Sequence, residues 1–454
     1  MPAYRNLKWS RLDNAAKIFP STMEKADTRV FRFSCELTGE VDPRLLQQAV
    51  EVASESFPGY LAVMRRGLFW YYLEQTDLRP EVAEEALQPC APLYQRDRRT
   101  LLYRVSYYRR RINLEIYHAL SDGTGAMTFL KAIVTRYLLL RYPESLRGEA
   151  LDWIPAPAFE KSADSFQKYY QRVPHTKAPK RPRAYHLRGE FRENEDLQLI
   201  EGIASVKEVL AAAHRYQTTL TVYLTAVLIE AIHEEMYLRD EKHPVVIRVP
   251  VNLRKYFPSE TAKNFFGMIE VSYHFRQSSG EFTDILKTVD ETFKQELCPE
   301  RLSVRMNQLA QLEHNPLVQI VPLPVKNVVL RQARRLSDRE ETAVISNIGR
   351  VTLPEPLTPY VDSFHIFAST LKTQLCLCSF GDRLQMGFSS AFEGAGLQQR
   401  FFRRLASEGV AITVSATDFP LEEVKKPPAP SKKPARKAEK QAANGPSAPS
   451  GKEG

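Results

Sequence analysis

The feature that most constrains the fold is Leu114-Glu-Ile-Tyr-His-Ala-Leu-Ser-Asp-Gly-Thr-Gly125, where the hydrophobic period changes. Before the change, alternation puts Leu114, Ile116, His118 and Leu120 on one face of a strand and Glu115, Tyr117 and Ala119 on the other. After it, Met127, Leu130, Val134 and Tyr137 or Leu138 recur at helical spacing. Between the two, Ser121 and Asp122 offer N-cap chemistry, and Gly123 and Gly125 permit a tight backbone. The stretch reads as strand, sharp turn and helix, with a histidine closing the strand on its apolar side and a carboxylate in the turn. On geometry alone such a histidine is a packing residue.

The 454 residues suffice for two domains with substantial cores and a tail. The longest apolar run, 220–229, is interrupted by threonines and is too short to span a bilayer. Met1-Pro-Ala-Tyr-Arg-Asn-Leu-Lys lacks a secretory h-region, so a cytoplasmic location is expected. Five cysteines, at 35, 90, 298, 376 and 378, have no zinc-type spacing; Cys376 and Cys378 share a strand face and are expected to pack in a core. The net charge of +9 suggests nucleic acid until it is located. Residues 424–454 hold eight Lys or Arg against two Glu, which leaves +3 for the rest. That segment has neither interleaved aromatics nor an amphipathic period, so it is not expected to recognise nucleic acid or a membrane surface specifically, and no nucleic-acid partner is expected.

In chain order, 28–37 alternates as a strand and Asp42-Pro43 opens a helix to Phe57. Short strands follow at 60–64 and 68–73, and Arg109-Arg-Arg111 turns a hairpin between 101–108 and 112–120. Val173 to Arg183 is basic and broken by prolines, which marks a linker. The expected division is therefore 1–172, a linker 173–183, a second lobe 184–419, and a disordered Pro/Ala/Lys tail 420–454. The second lobe is expected to hold a strand at 184–191, helices at 206–216 and 219–238, and strands at 245–251 and 268–275. Helices broken at Pro316 and Pro322 come next, then a strand at 343–350 and three consecutive antiparallel strands between 364 and 390.

His118-x-x-x-Asp122-Gly123 resembles the HxxxDG signature of the chloramphenicol acetyltransferase-like superfamily, which includes alcohol acetyltransferases, wax ester synthases and peptide-synthetase condensation domains. Tyr117 stands where many members carry a second histidine. Phe57-Pro-Gly-Tyr60 is similar to the turn after that superfamily's first helix, and the helix opening at Thr218-Thr219 is similar to another of its elements. Asn252-Leu-Arg254, Pro258 and Asn264-Phe-Phe-Gly267 resemble a second signature region, and Ser346-Asn347-Ile-Gly349 an element of the wax ester synthases.

The resemblance implies an α/β fold of two such domains, each a mixed β-sheet flanked by helices, with the active site in a tunnel between them. It implies acyl transfer, by first choice acetyl, from a CoA thioester to an alcohol or amine. A carrier-protein or long-chain donor and a catalytically silent binding relative are the alternatives. His118 would be the general base and Asp122, beside Gly123, would pair with Arg254 to shape the loop. Asn347 is a candidate for an oxyanion or substrate contact, although an Asn before Gly349 also suits a turn; Asn264 shares that ambiguity. Neither a metal nor a bound cofactor is implied, because the thioester is already activated and acyl-CoA enters as co-substrate. His365 is expected in packing or at the surface.

Overall fold

The computed structural model describes residues 9–96, 98–147, 163–173, 181–192 and 196–417. Most of the expected linker (174–180) and the tail from 420 lie outside the described residues. The chain starts with β1 (Trp9–Arg11), α1 (Phe19–Thr22), β2 (Val30–Leu37) and α2 (Pro43–Glu55). Five short strands follow, β3 (Ala62–Arg66), β4 (Tyr71–Gln75), β5 (Val82–Glu84), β6 (Tyr103–Tyr108) and β7 (Arg111–Tyr117), and then α3 (Gly123–Arg141) and α4 (Ser165–Lys168). The next elements are β8 (Gln198–Ser205), α5 (Val206–Arg215), α6 (Leu220–His233), β9 (Val245–Asn252) and β10 (Phe266–Tyr273). Four helices precede the last strands: α7 (Phe282–Glu296), α8 (Pro299–His314), α9 (Pro316–Ile320) and α10 (Leu323–Asp338). The end is β11 (Ala343–Arg350), β12 (Val361–Ala368), β13 (Thr373–Phe380), β14 (Arg383–Ser390), α11 (Gly396–Ser407) and β15 (Ile412–Ala416).

Local rules account for most of these boundaries. Asp42 accepts from the amides of Arg44 and Leu45 with Pro43 in the first turn, and Thr219 accepts from Val222 to start α6. α3 and α6 are apolar nearly all round, and both are buried accordingly. Prolines 316 and 322 divide α8, α9 and α10. Among the described residues no helix is long and apolar enough to cross a membrane.

The strands form a five-stranded sheet, β12-β2-β7-β6-β5, a seven-stranded mixed sheet, β10-β9-β11-β13-β14-β8-β15, and a small sheet β1-β4-β3. Each large sheet has its own hydrophobic core. β13 serves both by strand alternation: Leu375 and Leu377 face the second core, while Cys376 and Cys378 face the first.

Three expectations are corrected. β12 does not pair with β13; it leaves the seven-stranded sheet and runs antiparallel to β2, with Phe364 opposite Cys35 and Ile366 opposite Phe33. Residues 184–191 form no strand, because Ala184 and Tyr185 donate to the carbonyls of Arg339 and Pro244, leaving a single bridge from Phe191 to Phe392. β7 ends at Tyr117, one residue before His118.

His365 belongs to neither the surface nor a purely apolar packing. It is 1 % exposed on β12, with Nδ1 2.7 Å from Oε2 of Glu201 on β8 and Nε2 2.8 Å from Oγ of Ser363. Ser415 donates to the other Glu201 oxygen at 3.2 Å, so the pair pins the two large sheets together. Burial opposes the Glu201 charge, but the His365 hydrogen bond and charge outweigh it and hold the carboxyl below its usual value. A depressed carboxyl stabilises the fold above the unfolded value and loses that contribution as pH falls through the folded one. Glu201→Gln is therefore expected to cost about 1.5–3 kcal/mol at pH 7 and clearly less near pH 4, read from urea midpoints at the two pH values; an equal deficit at both would contradict the pairing.

Candidate active site

The end of β7 delivers His118. Its amide donates to the Arg29 carbonyl at 2.8 Å and Leu120 N turns back to Tyr117 O at 2.8 Å, so the strand stops and the imidazole leaves the sheet face. Phe19 stacks on the ring at 4.1 Å between centroids, Phe31 lies at 4.3 Å and Phe266 at 5.3 Å. Nδ1 is 3.2 Å from the Ser121 carbonyl oxygen. A carbonyl only accepts, so Nδ1 carries the proton and Nε2 offers a lone pair. Nε2 has no hydrogen-bond partner among the described residues, and the side chain keeps partial exposure. Loss of hydration pushes the ring down to about 4, against the Asp122 charge and the Ser121 bond, so it is neutral at pH 7.

The turn beneath the ring is rigid. Ser121 Oγ donates to the Ala262 carbonyl at 2.7 Å and accepts from Tyr60 Oη at 2.8 Å; Tyr60, fully desolvated, stays protonated. A Cβ on Gly125 would fall 2.2 Å from the Ala262 oxygen and 2.3 Å from Ser121 Oγ, and one on Gly123 2.6 Å from Ile348 Cδ1. At 125 the obstacle is backbone, so only glycine lets α3 start this close to the 262 loop, whereas at 123 it is the movable end of the Ile348 side chain.

Asp122 and Arg254 are brought together. Oδ1 of Asp122 caps α3 through Gly125 N at 3.0 Å, and Oδ2 accepts from Arg254 Nη1 and from Phe265 N, each at 2.8 Å. The contact uses one guanidinium nitrogen, so it is not the two-pronged bridge a planar guanidinium permits. The remaining donors are spent on the loop itself: Nε and Nη2 reach the Thr261 carbonyl at 3.1 and 2.9 Å, and Nη2 reaches Lys263 O at 2.7 Å.

Asn264 is buried and donates from Nδ2 to the His118 carbonyl and to Asp13 Oδ2, both at 3.0 Å; its Oδ1 is buried without a partner among the described residues. Asp13, pushed up to about 6 by burial against its bonds from Asn264 and Ala16, completes this support behind the histidine. Asn347 is spent locally, accepting from Gly349 N and donating to Thr221 Oγ1, each at 2.8 Å, where it holds a bulge in β11. A cavity of 360 Å³ lies elsewhere, lined by Lys25, Thr28, Gln88, Cys90 and Asp196 among others; neither His118 nor Asp122 borders it.

Asp13, Phe19, Phe31, Tyr60 and Phe266 were not legible as site residues. Phe19 reads as a loose anchor, Phe31 as one member of a strand face, Tyr60 and Phe266 as parts of turn motifs, and Asp13 carries no pattern at all.

Residues 193–379 match the family model described as alcohol acetyltransferase. Solved structures agree over nearly the whole chain. TRI101 of Fusarium graminearum, solved with coenzyme A and T-2 mycotoxin, is 10 % identical, with a TM-score of 0.59 over 88 % of this chain and 97 % of its own. The fold is that of the chloramphenicol acetyltransferase-like superfamily. The trichothecene 15-O-acetyltransferase TRI3 of Fusarium sporotrichioides (9 %, TM-score 0.57, 90 % and 98 % covered) shares this acetyltransferase fold. So does the first condensation domain of the CDA synthetase (14 %, TM-score 0.55, 90 % and 99 % covered). No curated protein matches the chain by sequence. The alcohol acetyltransferase match contains Arg254, Asn264 and Asn347, while His118 and Asp122 precede it.

Because Asp122 is buried and satisfies two segments and a helix start, Asp122→Asn leaves the guanidinium without its counter-charge. The expected loss is about 3–5 kcal/mol, measured as a urea midpoint shift, and Arg254→Lys is expected to be destabilising as well because one ammonium cannot reach both carbonyls and the carboxylate.

Proposed function

We propose that this chain is an acyltransferase that moves an acyl group, acetyl by first choice, from a CoA thioester to an alcohol or amine, with His118 as general base. The observation that carries the reading is the Nδ1 contact with the Ser121 carbonyl, which leaves Nε2 unprotonated on a ring walled by Phe19, Phe31 and Phe266. The alcohol acetyltransferase match supports the reaction class, and the Fusarium graminearum protein solved with coenzyme A supports CoA as the donor.

In this reading Nε2 accepts the proton of the acceptor hydroxyl or amine as its heteroatom adds to the thioester carbonyl. The Ser121 carbonyl steadies the imidazolium through the Nδ1 proton during that step. The tetrahedral intermediate then expels the thiolate, which takes the same proton back from Nε2, so no covalent enzyme intermediate forms. Asn264 and Asp13 fix the backbone of the base from behind. Asp122 and Arg254 hold the turn that supplies the Ser121 carbonyl, and neither meets substrate. An oxyanion role for Asn347 would draw on the one amide hydrogen not given to Thr221.

His118→Ala is expected to lower kcat/KM about a thousandfold in an assay of thiol release from acetyl-CoA with a panel of alcohols and amines, with the urea midpoint little changed. Retained turnover would end the assignment. Only the neutral ring can act, so its protonation near pH 4 sets the acid limb. Activity is expected to stay flat from pH 8 down to about pH 5 and to fall below that; an acid limb centred on the ordinary histidine value would contradict the desolvated site.

A further inference from the structure

Among the described residues, one face is apolar and exposed. Leu323 N donates to Leu68 O at 2.9 Å, and Lys326 Nζ, 3.8 Å from the Trp70 ring centroid, donates to the carbonyls of Phe69 and Gln319. These bonds join the turn between β3 and β4 to α9 and to the start of α10. On the outer side of that junction Leu68, Ile320, Val325, Val328, Val329 and Leu336 are 52–70 % exposed. At 100° per residue, Val325, Val329 and Leu336 fall within one narrow stripe of α10, and Val328 widens it. Arg335 and Arg339 follow along one flank of the stripe, and neither pairs with a carboxylate among the described residues. The acids next to Arg339 in sequence are taken, Asp338 by Arg334 and Glu340 by Arg181.

We propose that the outer face of α9 and α10, with the Leu68 turn, docks the protein flat on an anionic lipid surface. A soluble helix in this position would carry polar residues at 325, 328, 329 and 336; branched apolar side chains there suit the acyl boundary, and arginines beside them suit the phosphates. The surface is the exposed side of a helix, which suits insertion into a fluid layer. A second copy is disfavoured by the same arginines, because a two-fold contact would set Arg335 and Arg339 against their own equivalents. Behind the face, Ser21 Oγ donates to Asn327 Oδ1 at 2.6 Å and Arg331 Nε reaches Ser21 O at 3.2 Å, so α10 rests on α1, the helix whose Phe19 stacks on His118. Docking would therefore place one thin layer between the lipid and the imidazole.

The test is co-sedimentation of the full-length protein with vesicles of phosphatidylcholine alone or with about 30 % phosphatidylserine. Binding is expected to the anionic vesicles and to weaken with added salt. Val325→Glu with Val329→Glu, and separately Arg335→Glu with Arg339→Glu, should each reduce it about tenfold or more, with urea midpoints and turnover of soluble substrates unchanged. A chain whose eight Lys and Arg after 424 are changed to Gln should retain most of the binding. The proposal is overturned by equal binding of the α10 variants, by loss of binding in the tail variant alone, or by no binding to either vesicle. A dimer in sedimentation equilibrium that the Val325→Glu, Val329→Glu pair dissolves would also overturn it, since a second copy would then own the face.

Discussion

The guanidinium of Arg254 organises the centre of this molecule. It faces one carboxylate oxygen and the carbonyls of Thr261 and Lys263, so a charge that burial would otherwise forbid becomes the hub of a loop with little hydrogen-bonding capacity of its own. Its counter-ion is equally committed. Asp122 gives one oxygen to the first turn of α3 and the other to Arg254 and Phe265 N. A contact between residues 132 positions apart thereby sets where the helix after His118 begins.

The histidine depends on that hub without touching it. The helix start and the 262 loop fix Ser121, whose hydroxyl is held by Tyr60 and Ala262 and whose carbonyl faces Nδ1. The ring then sits among three phenylalanines drawn from separate parts of the chain, α1, β2 and the start of β10. Such a wall strips water from the imidazole and keeps it neutral, while the Asp122 charge limits the fall. Removing hydration and retaining a nearby carboxylate act in opposite directions on the same group.

Much of the fold was legible because it follows local rules. Asp42-Pro43 and Thr219 start helices as their chemistry requires, Pro316 and Pro322 divide the helical region, and Cys376 and Cys378 share a buried face. The Asp122–Arg254 contact was legible through the resemblance of two separated motifs, and it is made through one guanidinium nitrogen. What failed to show was long-range. Alternation marks 364–369 as a strand but not its neighbour, so the pairing with β2 was invisible, as was the His365–Glu201 contact it creates. The same limit hid Asp13 and Phe19: a lone carboxylate and a lone aromatic in an irregular segment have no period to read.

The placement of β12 bears on the order in which the molecule can be assembled. The five-stranded sheet begins with β2 but is not complete until residues 361–368 arrive, after four of the seven strands of the second sheet have been synthesised. Until then β2 carries an open edge, a row of unpaired amides and carbonyls on a nascent chain with Phe31 and Phe33 beside them. The first sheet is thus the earlier to emerge from the ribosome but cannot close until more than half of the second sheet's strands are out, and the wait falls on the strand that also supplies Phe31 to the imidazole.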